Sequence, residues 1–292
     1  MSETQETIRP VLRLDPWMPD YNGAVQIDSE DEPVSGQVDT SVESHEWKAV
    51  APPSAAAPLL YFIDGVRRTD ARVLAWDKKG LVHGLFGTVA AGAVRSDGRA
   101  AAYFRCGFRR VLVLGGGHSR SATAYAGSAP VEFEGIASIA SNPAEVGSQL
   151  QELMRQLEAK IAESVLTEKA VVFIDGPLAY ITSLGPAVGV IKRISQAYLD
   201  GDHFALVTSL ILGQRTPLFL ISDGKRDRYS WYLRIGLGRR FEHALAGIIR
   251  LEVRAAAGLE AARQLADTSA AFLLSSRHHQ YAIRGRHRIW FR

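Results

Sequence analysis

Hydrophobic and polar positions follow the period of β-strands over much of this chain. Short apolar runs rich in β-branched and aromatic residues, bounded by Gly, Asp or Lys, are typical of strands. We expect the three runs that follow the first one to form an antiparallel meander. The predicted strands cover 59–65, 71–76, 81–90, 109–114, 170–176, 218–221, 229–235 and 248–253.

Three stretches have helical spacing instead. The clearest is 144–166, where apolar residues recur at intervals of three and four and the preceding Asn-Pro supplies a cap and a first turn. Two more helices are predicted over 185–198 and 259–274. An order of several strands, then helix, strand, helix and further strands predicts an α/β protein with a mixed sheet flanked by helices.

Composition divides the chain into three parts. Residues 1–58 are Ser- and Pro-rich with acidic patches, so we expect a leader that is partly disordered. The folded domain is predicted to cover 59–276. A basic tail without acidic residues then occupies 277–292.

Overall composition indicates a globular protein and excludes sites built from several cysteines. The chain has 292 residues, of which 47% are hydrophobic, enough for a packed core. Its formal charge of +3 permits nucleic acid as a partner without requiring it. A single cysteine, Cys106, excludes an internal disulfide and a cysteine-based zinc site. We expect a cytoplasmic protein, because neither a secretory segment nor a membrane-spanning apolar run is evident.

Two of the predicted strands end in the same dipeptide, Asp64-Gly65 and Asp175-Gly176. Adjacent strands would bring these two carboxylates together, and hard cations such as Mg²⁺ or Mn²⁺ prefer oxygen ligands of this kind. Asp-Gly after a strand is also a common turn, in which Gly supplies a positive φ. Both interpretations are open for each aspartate taken alone.

A third acid and a cation complete the candidate catalytic set. Glu158 lies 17 positions before Asp175 on the longest predicted helix, beside apolar neighbours, so its carboxylate could point partly inward. Lys192 could contact a scissile phosphate. The alternative for both is a solvated helix face, the usual place for Glu and Lys.

Arginines in the second half of the chain are interleaved with aromatic residues. This mixture is expected of a groove that follows a phosphate backbone and stacks bases, and it equally suits a strand pair with alternating faces. The candidate DNA contacts are Arg193, Tyr232, Arg234 and Arg250.

Two other catalytic patterns are not supported. The glycine run before His118 lacks the Gly-Lys-Ser/Thr of a nucleotide-binding loop, so we interpret it as a turn. No Gly-x-Ser-x-Gly elbow is present, and histidines crowd at the C-terminus, which disfavours Ser-His-Asp chemistry.

The assembled residues resemble a known family over about 59–274. The strongest piece is the Asp-Gly-Pro-Leu strand followed by Gly-x-Ile-Lys-Arg. The segments that resemble the NurA nuclease domain, in this order and at fitting separations, are Phe62-Ile63-Asp64-Gly65-Val66, Met154-Arg155-Gln156-Leu157-Glu158, Val172-Phe173-Ile174-Asp175-Gly176-Pro177-Leu178, Gly189-Val190-Ile191-Lys192-Arg193 and Trp231-Tyr232-Leu233-Arg234.

This resemblance implies an RNase H-like fold and a manganese-dependent (or magnesium-dependent) nuclease with 5′-to-3′ exonuclease and single-strand endonuclease activity. It further implies a homodimer that works with a HerA-type hexameric ATPase in DNA-end resection. Asp64, Glu158 and Asp175 match the metal-binding acids of the family.

Two other functions are kept as alternatives. The family usually supplies a C-terminal Tyr near the metal, and Tyr281 is the tyrosine available in the basic tail of this chain. A NurA-like subunit with impaired catalysis that binds DNA or docks on the translocase is therefore one alternative. A metal-dependent phosphatase acting on small molecules is the other, and it would need a compact pocket instead of a basic groove.

Overall fold

The computed structural model describes residues 13–14, 36–51, 53, 58–78, 80–97, 100–139, 142–167, 170–192, 194, 198–224, 226–238 and 243–275. The predicted basic tail, and most of the predicted leader, lie outside these residues. In the described part of the chain, no helix combines the length and the apolar content that crossing a bilayer requires.

Twelve strands and three α-helices are present among the described residues. The helices are α1 (Pro143–Glu163), α2 (Gly201–Ser209) and α3 (Leu259–Ser275), and a short 3₁₀ turn covers Ala255–Ala257. The strands are β1 (Arg13–Leu14), β2 (Gln37–Asp39), β3 (Leu59–Asp77), β4 (Gly80–Ser96), β5 (Ala101–Leu114), β6 (Ala122–Ala126), β7 (Ala129–Ala137), β8 (Ala170–Asp175), β9 (Ala187–Ile191), β10 (Phe219–Ser222), β11 (Arg228–Arg234) and β12 (Ile248–Arg254).

The helix predicted over 185–198 is wrong, because residues 187–191 form strand β9. β9 is paired on both sides, parallel to β8 and antiparallel to β12. Its sequence, Ala-Val-Gly-Val-Ile, contains three β-branched residues, which favour a strand, and a glycine, which weakens a helix. The segment is too short to show the apolar-polar alternation of a half-buried strand. Pairing with a strand on each side therefore stabilises the extended conformation of residues 187–191.

The described residues of 65–91 and 106–157, together with β1, form one compact unit. Within it β3, β4, β5, β7 and β6 lie side by side in that order, so the predicted neighbours β3 to β5 follow one another. Helix α1 packs Val146, Leu150 and Leu153 on Val89 and Val111 of this sheet. A side chain at Gly87 would collide with Leu150, since an added Cβ would lie 2.8 Å from it.

The second compact unit contains the described residues of 36–64, 92–105 and 158–275. Its strand order is β2, β10, β11, β12, β9, β8 and β3. β3, β8 and β9 are parallel neighbours, whereas β12, β11, β10 and β2 are paired antiparallel. The predicted mixed sheet flanked by helices is confirmed, while the RNase H-like assignment stays a prediction.

One face of this sheet packs on α3. Leu60 and Phe62 of β3 and Val171 and Phe173 of β8 share a buried cluster with residues of β11, β12 and α3. The helix contributes Ala262, Leu265, Ala266, Ala270, Phe272 and Leu273 to that cluster. Its alanines allow a close approach to the sheet.

Part of the predicted leader belongs to the second unit. β2 pairs with β10, where Val38 is opposite Ile221, and the backbone of Val50 exchanges hydrogen bonds with Arg215. Glu43 is tied to Arg215 by two hydrogen bonds of 2.9 Å. These residues lie upstream of the domain start expected at residue 59.

Candidate functional site

Asp64 and Asp175 lie side by side on neighbouring parallel strands. The β3–β8 register pairs Phe62 with Phe173 and Ile63 with Ile174, and each aspartate is the next residue of its strand. Side chains at matching positions of parallel strands point to the same face. Both carboxylates therefore belong to the sheet face that carries Phe62 and Phe173, and both are half-buried.

The two Asp-Gly dipeptides differ in structure. β3 continues without a break past Gly65 to Asp77, so the turn interpretation does not apply to Asp64. β8 ends at Asp175, and Gly176 has a φ of 95°, a conformation that favours glycine. The turn is therefore present after Asp175, at the same place as the carboxylate.

Lys192 is brought to Asp175 by the strand that the sequence had predicted as a helix. β9 pairs with β8 in a register that places Val190 opposite Asp175. Two residues further on, the Lys192 Nζ lies 3.0 Å from Asp175 Oδ1, with side chains 38% and 30% exposed. A cation is thus held beside a carboxylate at the C-terminal ends of β8 and β9, where both side chains are partly exposed to solvent.

An apolar pocket adjoins this ion pair. Its apolar lining comes from Phe62, Ile63, Phe173, Ile174, Val190, Ile235, Ile249 and Leu273, and its polar lining from Asp175 and Lys192. Apolar surroundings lower the local dielectric and strengthen the interaction of these charges with a bound anion or cation. The basic groove expected for a nuclease does not describe this place, whereas a pocket is what the phosphatase alternative requires.

Glu158 is buried, with an exposed fraction of 1%, on helix α1. The solvated helix face expected for an isolated Glu is therefore wrong at this position. Among the described residues, however, no group of three or more His, Cys, Asp or Glu side chains is arranged to hold a metal ion. The structure brings Asp64, Asp175 and Lys192 together, and the three-acid metal site stays a prediction.

The donor chemistry fits a hard divalent cation. Asp64 and Asp175 offer carboxylate oxygens from adjacent strands, the ligand type that Mg²⁺ and Mn²⁺ prefer. Both side chains are partly accessible, so a hydrated cation can approach. Lys192 carries its ammonium group on a flexible four-carbon stem that is partly exposed.

The predicted DNA contacts at Tyr232, Arg234 and Arg250 are engaged inside the protein. Tyr232 is fully buried between Phe204 and Phe219, and burial raises the pKa of its hydroxyl to about 12. Arg234 donates to the backbone carbonyls of Thr208, Ala244 and Ala246.

Arg250 donates to Ser230 and Glu252, and its guanidinium lies 4.8 Å from the centre of the Tyr198 ring. These contacts within the protein explain the position of the Arg250 side chain, and no nucleic acid is needed to explain it. The fourth predicted contact, Arg193, lies outside the described residues.

Sequence reasoning missed Glu252, a buried acid of β12. Its Oε1 accepts a hydrogen bond of 3.2 Å from the backbone N–H of Leu178, in the turn that follows Asp175. The signal available in the sequence was Arg250, Glu252 and Arg254 at alternate positions of one strand, which places opposite charges on one sheet face.

A second buried charge cluster was also missed. Arg215 is 1% exposed and bonds to Glu43 and Asp267. Burial alone would lower the pKa of Arg215, but these two carboxylates hold it above its ordinary value. Burial alone would raise the pKa of Glu43, but hydrogen bonds from Arg215 and the Leu218 N–H hold it below.

No protein-family model matches this sequence. No curated protein matches it either. Among solved structures, the chain is similar to the crystal structure of the NurA nuclease from Sulfolobus solfataricus, with a TM-score of 0.44 and 12% identity over 77% of this chain and 76% of that one. A likeness at that level does not establish a common activity.

Proposed function

We propose that this protein is a divalent-metal-dependent nuclease that hydrolyses phosphodiester bonds in DNA. The observation that carries the proposal is the placement of Asp64 and Asp175 at matching positions of two parallel strands, with Lys192 3.0 Å from Asp175. Two partly exposed carboxylates and a cation on neighbouring strands suit the binding of a metal-bound phosphate. The sequence segments that resemble the NurA nuclease domain contain these same three residues.

Asp64 and Asp175 would hold the cation, and Glu158 on α1 is proposed as the third acid. A divalent cation in such a site supplies an activated water and neutralises charge on the leaving 3′ oxygen. Lys192 donates to a phosphate oxygen once the Asp175 carboxylate is engaged elsewhere, and so stabilises the negative charge that develops at the phosphorus. The apolar lining beside the pair lowers the local dielectric and so strengthens these interactions.

Finer features of the proposal come from the resemblance. They are 5′-to-3′ exonuclease and single-strand endonuclease activity with Mn²⁺ or Mg²⁺, a homodimer, and work with a HerA-type hexameric ATPase in DNA-end resection. Each has a direct measurement: product polarity on end-labelled DNA, metal titration, light scattering, and co-purification with the ATPase.

The test of the core proposal is cleavage of end-labelled single- and double-stranded DNA with Mn²⁺, with Mg²⁺ or with EDTA. Asp175→Asn keeps the size of the side chain and removes its charge, and we expect it to abolish cleavage. Asp202→Asn, an exposed acid in the first turn of α2, is the matched control and should cleave like the wild type.

Metal-dependent cleavage that Asp175→Asn retains would overturn the assignment of the site. Absence of cleavage by the wild type under all metal conditions would overturn the nuclease proposal. If salt-sensitive DNA binding persisted in that case, the catalytically impaired DNA-binding or docking subunit would replace it.

A further inference from the structure

We infer that Glu252 is a positioning residue for the candidate site. It anchors the turn 176–178, which directly follows Asp175, and thereby fixes the Asp175 carboxylate beside Lys192. The inference rests on the proposed function for its catalytic consequence, whereas the anchor itself can be tested without any reaction.

The turn after Asp175 is fastened at two backbone positions. Gly176 donates its N–H to the carbonyl of Val190 at 2.9 Å, and the Leu178 N–H donates to Glu252 Oε1 at 3.2 Å. Asp175 itself is opposite Val190 in the β8–β9 ladder. Between these fixed points only Pro177 separates the two anchored residues, so the turn has little freedom to move.

Glu252 belongs to a strand that is not paired with β8. The order β12, β9, β8 puts a whole strand between them, and Glu252 is opposite Gly189 in that middle strand. A Cβ at Gly189 would lie 2.8 Å from the carbonyl oxygen of Gly176 and 3.1 Å from Glu252 Cγ. Because Gly189 has no side chain, the space through which the Glu252 side chain reaches the turn stays open.

Two arginines fix the carboxylate in this position. Arg250 Nη1 lies 2.9 Å and Arg228 Nε 3.5 Å from Glu252 Oε2, so one oxygen faces the guanidinium groups and the other faces the turn. Glu252 is only 3% exposed. A buried carboxylate with charged partners and a single backbone donor has one favourable orientation.

This arrangement has a counterpart elsewhere in the same unit. Glu43 also has a largely covered side chain, 8% exposed, and it also pairs with an arginine and accepts a backbone N–H, from Leu218 at 2.6 Å. Its backbone donor is not in the turn after Asp175. A comparison of the two glutamates separates a general loss of stability from a specific effect on the site.

The experiment uses the full-length wild type, Glu252→Ala, Gly189→Ala and Glu43→Ala. Glu252→Ala removes the acceptor of the Leu178 N–H. Gly189→Ala leaves the glutamate in place but puts a methyl group 2.8 Å from the Gly176 carbonyl oxygen and 3.1 Å from Glu252 Cγ, so it disturbs both sides of the anchor if Glu252→Ala fails to fold. Measurements are made well below the lowest melting temperature of the set.

Two readouts need no activity. Amide hydrogen exchange at Leu178 should become about tenfold faster or more in Glu252→Ala and Gly189→Ala, the equivalent of one lost hydrogen bond. Labelling of Lys192 by an amine-reactive reagent should also become faster, because its ion pair with Asp175 is weakened. Glu43→Ala should change neither rate.

The third readout is DNA cleavage. We expect kcat to fall by about ten- to a hundredfold in the two site variants, Glu252→Ala and Gly189→Ala, as it does for other residues that orient a metal ligand. The Kd for DNA should change little. Glu43→Ala should keep the wild-type kcat.

The outcomes are distinct. Unchanged exchange at Leu178 and unchanged labelling of Lys192 in both site variants would overturn the anchor, whatever the activity. A loosened turn with wild-type kcat would overturn its role in the site. A wild type without cleavage would refute the proposed function, and the exchange and labelling rates would still decide whether Glu252 positions the turn and Asp175.

Discussion

Lys192 Nζ lies 3.0 Å from Asp175 Oδ1, and this pair joins the ends of two adjacent parallel strands. Both side chains are partly exposed, and ion pairs of that kind contribute about 0.2–1 kcal/mol to stability. The contribution of this ion pair to the free energy of unfolding is therefore small. In the proposed function, the role of the pair is to bind phosphate.

Lys192→Met is expected to lower the rate of DNA cleavage strongly while the free energy of unfolding changes by no more than about 1 kcal/mol. The charge that would stabilise the phosphate is lost, but little packing is. Lys48→Met is the matched control, because Lys48 forms an exposed ion pair with Glu46 in the same unit. Equal cleavage by the two variants would contradict the role of Lys192.

Asp64→Asn is expected to weaken Mn²⁺ binding by about tenfold or more, because one of two charged oxygen ligands on adjacent strands is lost. Isothermal titration with MnCl₂ measures this change without DNA. Asp202→Asn should bind Mn²⁺ like the wild type. Unaltered Mn²⁺ affinity in Asp64→Asn would place the metal site elsewhere.

Arg215→Met is expected to lower the free energy of unfolding by about 3–5 kcal/mol, since it removes the buried guanidinium that pairs with both Glu43 and Asp267. Chemical denaturation measures the loss. Arg263→Met is a suitable comparison, because Arg263 is 43% exposed and lies 3.4 Å from the same carboxylate. A smaller loss for Arg215→Met than for Arg263→Met would contradict the importance of burial.

Stability should also fall in acid through Glu43. Its pKa is lower in the folded than in the unfolded chain, so the unfolded state binds the proton more readily. The contribution of Glu43 is therefore complete well above the unfolded value of about 4.3 and is lost as pH falls through the folded pKa. Denaturation midpoints of wild type and Glu43→Gln between pH 7 and pH 3 should converge at the acid end.

Tyr232→Phe is expected to leave DNA affinity unchanged, because the ring is fully buried between Phe204 and Phe219. Fluorescence anisotropy with labelled single-stranded DNA is the measurement. A marked loss of affinity in a well-folded Tyr232→Phe variant would show that the hydroxyl group of Tyr232 contacts the DNA.

Periodicity predicted the long helix and most strands because α1, β8 and β12 combine strong patterns with clear boundaries. It predicted fewer strand residues around 59–77, since Gly65 and the polar residues after it resemble a loop, although the backbone there stays extended. It missed α2, whose short apolar sequence shows little amphipathic pattern.

The candidate site was predictable only in part. Asp64 and Asp175 were found because each ends an apolar run, and the ladder between β3 and β8 is what places them side by side. Glu252 could not be chosen from the sequence, since its contact with Leu178 spans 74 positions and crosses an intervening strand. Tyr232, Arg234 and Arg250 had the composition of a DNA groove, but composition does not tell which face of a strand is covered.

The amino-acid sequence by itself determined the local elements and the chemical types available, namely two acids after apolar runs, a third acid on a long helix and a lysine after Gly-Val-Ile. These depend on neighbours within a few positions, where periodicity and propensity act. Only the tertiary structure decided which of these groups meet and which are buried, because strand order, register and burial depend on contacts between residues far apart in the chain.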